Sequence, residues 1–136
     1  MNAIADRNEA VIRALCDSLS RRDVAGVIER MADNGTWTLA GRQDRFAFAG
    51  TQDKAGQKAL LTAFLGGFST FEFVVEHTVA QGDRVAVQAR SHGTGPGRKV
   101  YKNTYLLMFR LEDGLVVEAQ EYLDPFEVLD YVEQPE

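Results

Sequence analysis

In the stretch LVVEAQEYLDPF, residues 115–126, a carboxylate stands where the pattern asks for an apolar side chain. Side chains of a strand alternate between faces, so Leu115, Val117, Ala119, Glu121 and Leu123 share one side. Only Glu121 among them is polar. A carboxyl in apolar surroundings is hard to ionise, and its pKa rises toward neutrality, where it can take up or return a proton. Glu121 is therefore a candidate general acid or base.

Two other strand-like stretches carry a single polar group on an apolar face. Tyr101, Asn103, Tyr105, Leu107, Phe109 and Leu111 alternate with Lys102, Thr104, Leu106, Met108 and Arg110. Phe71, Phe73, Val75, His77 and Val79 alternate in the same way with Glu72, Val74, Glu76 and Thr78. Asn103 can hold a carbonyl or hydroxyl, or bridge backbone groups inside the sheet. His77 is either an auxiliary acid or base or a hydrogen-bonded core histidine.

The register decides which of these groups meet. A three-residue Glu112-Asp113-Gly114 loop pairs Leu111 with Leu115, placing Tyr105 opposite Glu121 and Asn103 opposite Leu123. Tyr105 could then share a hydrogen bond with Glu121. A two-residue Asp-Gly turn instead pairs Glu121 with Leu106, on the face of Lys102 and Arg110. The three-residue turn is preferred because it joins the two more apolar faces. For residues 83–92, alternation turns Val85, Val87 and Ala89 inward and leaves Gln88, Arg90 and His92 outside. An odd register would place Arg90 opposite Asn103 and Gln88 opposite Tyr105, and both remain open at this stage.

The elements that position these residues fall into two sets. Ile4, Val11, Ile12, Leu15 and Leu19 recur at helical spacing over 3–19. Ser20 and Asp23 suit a cap for a second helix ending at Asn34-Gly35, followed by a strand at 36–41 and a loop at 42–52. Thr51 is a candidate cap for a third helix, 53–65. Strands follow at 71–79, 83–92, 100–111 and 115–123, joined by QGD, GTGPGRK and EDG. Asp124-Pro125 then reads as a cap and a proline at the first position of a short helix. Helices first and a meander afterwards predict an α+β fold, with helices covering one face of an antiparallel sheet.

The 136 residues suit one domain, 1–136, able to bury a core without disulfides or metal. Twenty Asp and Glu against fifteen Lys and Arg, with no basic stripe, argue against a nucleic-acid partner. The lone cysteine, Cys16, and the absence of an apolar leader or membrane-length run favour a cytoplasmic protein without a membrane partner. Two separated histidines and one cysteine give no metal-ligand spacing. GTGPG lies between strands rather than before a helix, and no nucleophile elbow or phosphate loop is present.

The KALLTAF helix, the strand with Trp37, GDRVAV, YKNTYLLMF, EDGLVV and EYLD together resemble the SnoaL-like branch of the nuclear transport factor 2-like superfamily. The resemblance spans nearly the whole chain. It implies a strongly curved, cone-shaped antiparallel sheet whose concave side, closed by about three N-terminal helices, encloses a pocket. Relatives include polyketide cyclases, ketosteroid isomerases, scytalone dehydratases and limonene epoxide hydrolases, alongside non-enzymatic binders, so the fold does not choose a reaction. The region 82–124 is most similar to the epoxide hydrolases. A gapless match puts Glu121 at their final-strand Asp but Gln88 and Arg90 at their Arg and second Asp, so only one carboxylate of that mechanism is kept. The match implies that Gln88, Arg90 and His92 face the pocket, with Trp37 and Leu39 on the opposite wall. Arg90 could then either neutralise Glu121 in a wall salt bridge or leave it free for proton transfer, with Tyr105 holding a developing oxyanion.

The expectation is thus a small apolar ligand or substrate, no cofactor, and Glu121, Arg90 and Tyr105 as the chemical groups. Trp37, Leu39, His77, Gln88, His92, Asn103 and Leu123 would line the site. Isomerisation, cyclisation and dehydration all fit, as does ligand binding without catalysis. The outward Leu106 and Met108 suit a homodimer surface.

Overall fold

The computed structural model describes residues 2–136. Helix α1, Ala3–Ser20, forms because Ile12, Leu15, Cys16 and Leu19 make one buried stripe, and Asn2 caps it by accepting from Ala5 N at 3.1 Å. Helix α2, Val24–Ile28, is far shorter than its periodicity suggests. Its cap is Asp23, which accepts from Gly26 N at 3.0 Å, rather than Ser20.

The chain leaves the helix early because Met31 already pairs with Val116, opening strand β1, Met31–Leu39. The expected helix stop at Asn34-Gly35 lies inside this strand. A Cβ on Gly35 would stand 2.7 Å from the Val116 carbonyl oxygen, so the close approach of the two backbones requires glycine there. A short β2, Gly50–Asp53, occupies part of the expected loop, and Asp53 rather than Thr51 caps α3, Lys54–Gly66.

The remaining strands are β3, Thr70–Gln81; β4, Arg84–Thr94; β5, Val100–Glu112; and β6, Leu115–Leu123. Helix α4, Pro125–Glu133, begins with proline after the Asp124 cap, which accepts from Phe126 N at 2.9 Å.

The six strands form one open mixed sheet in the order β2-β1-β6-β5-β4-β3. All neighbours are antiparallel except β1 and β6, which run parallel, so the expected purely antiparallel sheet is corrected at that pair. The main core lies between α1, α3 and the inner face of the sheet, with Ile12, Leu15, Val85, Val87, Leu107 and Phe109 almost wholly buried. Among the described residues no helix is long and apolar enough to cross a membrane.

Two β-bulges fix which residues face inward. Arg110 pairs with Glu118 but Leu111 with Val116, which leaves Val117 without a partner. The turn is the two-residue Asp113-Gly114, with φ of 50° and 77°, a type I′ hairpin pairing Glu112 with Leu115. The three-residue loop is therefore corrected. The short turn alone would have sent Glu121 to the outer face, and the extra residue at Val117 returns it to the inner one, opposite Leu107. On β3 the pairs Val75 with Ala89 and His77 with Gln88 leave Glu76 extra, and there the bulge turns His77 outward.

Candidate functional site

A cavity of about 170 Å³ opens between the inner face of the sheet, α3, α4 and the segment joining β1 to β2. A dry cavity of roughly this size admits a single aromatic ring. Its floor and walls are apolar and aromatic, with Phe46, Phe64, Phe71 and Phe73 among them. Phe48 and Val132 reach it as well and remain about half exposed, so the lining runs outward to solvent.

Glu121 enters this space from β6. Trp37 Nε1 on the neighbouring β1 donates to Glu121 Oε1 at 2.8 Å. The indole is itself fixed by an edge-to-face contact with Phe109, with ring centroids 5.6 Å apart. Among the described residues no donor reaches the other carboxyl oxygen, and no cation pairs with the group. Burial pushes the Glu121 pKa up, and the bond from Trp37 only partly opposes that rise. The carboxyl is thus tethered by one oxygen and unpaired at the other, the condition in which it can exchange a proton with a bound molecule.

The second polar group of the cavity is a pair of tyrosines two face-repeats apart on β5. The hydroxyls of Tyr101 and Tyr105 lie 3.0 Å from each other, and that of Tyr105 lies 2.8 Å from Ser91 Oγ on β4. Asn103 sits beside them and orients the pair. Its Oδ1 accepts from Thr104 N at 2.8 Å and Asp124 N at 3.0 Å, so its Nδ2 must be the atom that donates to Asp124 O and to the Tyr101 hydroxyl. Burial pushes the Tyr101 hydroxyl up to about 12, with the charge of Glu121 a lesser contributor, and Tyr105 rises for the same chief reason. Both hydroxyls therefore stay protonated at neutral pH and remain hydrogen-bond donors.

The residues expected at this site divide by face. Trp37, Leu39, Tyr105, Glu121 and Leu123 line the cavity. Asn103 is buried behind it, and its four hydrogen bonds within the protein leave it none for a ligand. Gln88, Arg90 and His92 do not face the pocket. They pair with Leu106, Thr104 and Lys102 on the outer side, because Val85, Val87, Ala89 and Ser91 hold the inner positions of β4 without a bulge. Simple alternation was the better guide there, and the odd register is excluded. Arg90 meets Glu76 at 3.9 Å outside the sheet, so the alternative in which it neutralises Glu121 is removed. His77 is likewise exposed, opposite Gln88, as a result of the bulge at Glu76. Among the described residues no cluster of His, Cys, Asp and Glu could hold a metal ion.

Sequence reasoning passed over Tyr101, Ser91 and Gln57. Tyr101 shares the apolar parity of Tyr105 and was legible from that alternation. Gln57 interrupts the buried stripe of α3 formed with Leu61 and Leu65, the same kind of anomaly that marked Glu121.

The SnoaL-like domain family profile matches residues 12–119. Among curated proteins, the chain is similar to UPF0523 protein C of Dictyostelium discoideum, with 26% identity over 104 residues, 73% of this chain. The match spans 65% of that relative's length. Among solved structures, an NTF2-like protein of unknown function from Burkholderia pseudomallei superposes with a TM-score of 0.81 at 18% identity, covering 94% of this chain and 98% of the other. A candidate SnoaL-like polyketide cyclase from Jannaschia sp. CCS1 also gives 0.81, at 21% identity over 100% and 98% of the two chains. At such identities these structures speak for the fold.

Proposed function

The chain belongs to the SnoaL-like domain family, and from that premise we propose that it is a pocket enzyme using Glu121 for acid/base chemistry on an apolar cyclic or carbonyl-bearing metabolite. One observation carries the reading: a carboxyl lodged in an apolar cavity, bonded to Trp37 through one oxygen and unpaired at the other. In the ionised form, Glu121 removes a proton from the carbon next to a substrate carbonyl. The C–H electron pair forms the new carbon–carbon double bond as the carbonyl pair moves to oxygen, and the developing oxyanion takes a hydrogen bond from the Tyr101–Tyr105 pair, one hydroxyl donating to the oxyanion and the other to its neighbour. Returning the proton at another carbon gives isomerisation. Attack of the enolate on a second carbonyl, with the proton on Glu121 passed to the new alkoxide, gives cyclisation, and expulsion of a β-hydroxyl as water, carrying that same proton, gives dehydration. The protein needs no bound cofactor for any of these steps.

The test is exchange of the α-hydrogens of cyclic ketones in deuterated water, followed by mass spectrometry. Glu121→Gln is expected to lower the rate by at least about a hundredfold. An unchanged rate rejects the role given to Glu121. The rival reading, a non-catalytic binder with Arg90, Asn103 and Tyr105 around a polar headgroup, loses support because Arg90 is outside the sheet and Asn103 is saturated.

Two further features belong to the same reading. A cytoplasmic setting suits a protein whose single thiol, on Cys16, is buried and pushed up to about 12 by that burial. Leu106, Met108 and Tyr122 are exposed together on the outer face of β5 and β6, and a second copy of the chain is the partner this surface suits. A sedimenting monomer at high concentration would reject the dimer.

A further inference from the structure

Gln57 is a polar side chain on the cavity wall that no side chain or backbone group among the described residues engages by a side-chain hydrogen bond. It sits on α3 in line with Leu61 and Leu65, spaced i, i+4 and i+8, where the helix otherwise presents apolar groups to the core. It is only 4% exposed and borders the cavity. Its amide makes no side-chain hydrogen bond among the described residues, whereas buried Asn8 donates to Gly82 O and buried Asn103 is fully partnered. Among the described residues, no side-chain nitrogen or oxygen that is sealed off from open space lacks a partner. The Gln57 amide therefore has open space before it, and that space is the cavity.

Buried amides without partners are rare because their desolvation is not recovered, and one facing a ligand site is explained by the ligand. An amide offers an acceptor oxygen and two N–H donors, carries no charge, and cannot be silenced by protonation as a carboxyl can. It suits a hydroxyl, which both gives and takes a hydrogen bond, better than a hydrocarbon edge.

We infer that Gln57 is a specificity residue that binds a second oxygen function of the ligand, so that the natural ligand is an uncharged cyclic compound oxygenated at two places. One oxygen is held at the Tyr101 and Tyr105 hydroxyls near Glu121, and the other, a hydroxyl or carbonyl, at Gln57. The inference rests on the acid/base reading for the first position only. Among the described residues no cationic side chain lines the cavity, and a ligand carrying an anionic group would meet the charge of Glu121 without compensation.

The experiment measures binding of acetophenone, a one-ring ketone, and of its isomeric ring-hydroxylated derivatives by calorimetry, with the exchange of their α-hydrogens followed in parallel. At least one hydroxylated isomer is expected to bind about tenfold more tightly than the parent ketone, and Gln57→Leu to abolish that gain, so that within the variant the isomer binds no more tightly than the parent. Gln57→Leu should also raise the melting temperature of the free protein by about 3 °C, because an unpartnered amide is replaced by an apolar group on an apolar stripe. If the leucine variant does not fold, Gln57→Met keeps the length of the side chain and carries the same expectation. A gain that survives either variant, a hydroxyl that brings no gain in any isomer, a panel that does not bind at all, or destabilisation of both variants overturns the inference. Loss of exchange in Glu121→Gln with the gain still independent of Gln57 sinks only this inference. A gain dependent on Gln57 without any exchange sinks only the acid/base reading.

Discussion

Strands β3 and β6 each carry one polar residue in an apolar alternation and each contain one β-bulge, yet the bulges act in opposite senses. At Glu76 the extra residue carries His77 from the inner parity to the outer face. At Val117 the extra residue carries Glu121, which the short hairpin would have placed outside, to the inner face beside Trp37. Since side chains repeat every two residues, one inserted residue reverses the assignment of everything beyond it. One strand thereby gives up an ionisable group to water and the other brings one into a cavity.

The sharpest way to break this contrast is to insert one alanine after Glu118. With the bulge at Val117 kept, Gln120 and Tyr122 would then turn to the core while Ala119, Glu121 and Leu123 turn outward. We expect a loss of about 4 kcal/mol or more, seen as failure of cooperative thermal unfolding. An unchanged melting curve would show that the pairing of β5 with β6 does not fix which residues face inward.

Replacing Glu121 by Gln tests the inner placement itself. The folded-state pKa of Glu121 is raised above the ordinary 4.5, so folding favours the protonated form. The favourable state is fully populated below the unfolded pKa, and stability is lost as pH rises through the folded value. Glu121→Gln should therefore melt higher than the parent at neutral pH, with the two curves converging below about pH 4.5. Equal melting temperatures at every pH would mean that the carboxyl is solvated. Trp37→Phe is expected to cost about 2 kcal/mol and to move the rising limb of the pH–rate profile to higher pH, since a donor to the carboxylate is removed. A limb that shifts downward would contradict the role of the indole. The smallest effects belong to the outer face. His77→Ala and Arg90→Ala should each change stability by no more than about 0.5 kcal/mol and leave exchange activity intact. A loss of activity in Arg90→Ala would reopen its place in the site.

Much of the fold was legible because local rules decide it. The spacing of Ile12, Leu15 and Leu19, the Asp124-Pro125 start of α4 and the alternation along β5 each rest on neighbours within one element. The early end of α2 was not legible, since it depends on Met31 pairing with Val116 far along the chain. The candidate site divides the same way. Glu121 stood out as a charge on an apolar face, and Tyr105 followed from alternation. The pairing of Glu121 with Trp37 needs the parallel ladder between β1 and β6, which no local pattern encodes, and the outward turn of His77 needs a bulge that leaves no mark in composition. The placement of Arg90 was led astray by a gapless match to relatives, against a simple alternation that pointed it outward.

The strand order has a consequence for how the molecule comes into being. Strands β1 and β2 form one small ladder and β3 to β5 a separate meander, and only β6, the last strand of the chain, joins them. Trp37 and Glu121, 84 residues apart, sit on opposite sides of that seam. Contacts of such sequence separation close late, after loop entropy has been overcome. A chain in which β6 has yet to pair thus carries two unfinished edges, and closure of the Trp37–Glu121 contact is a late event of assembly. In refolding, secondary-structure signals should run ahead of ligand binding.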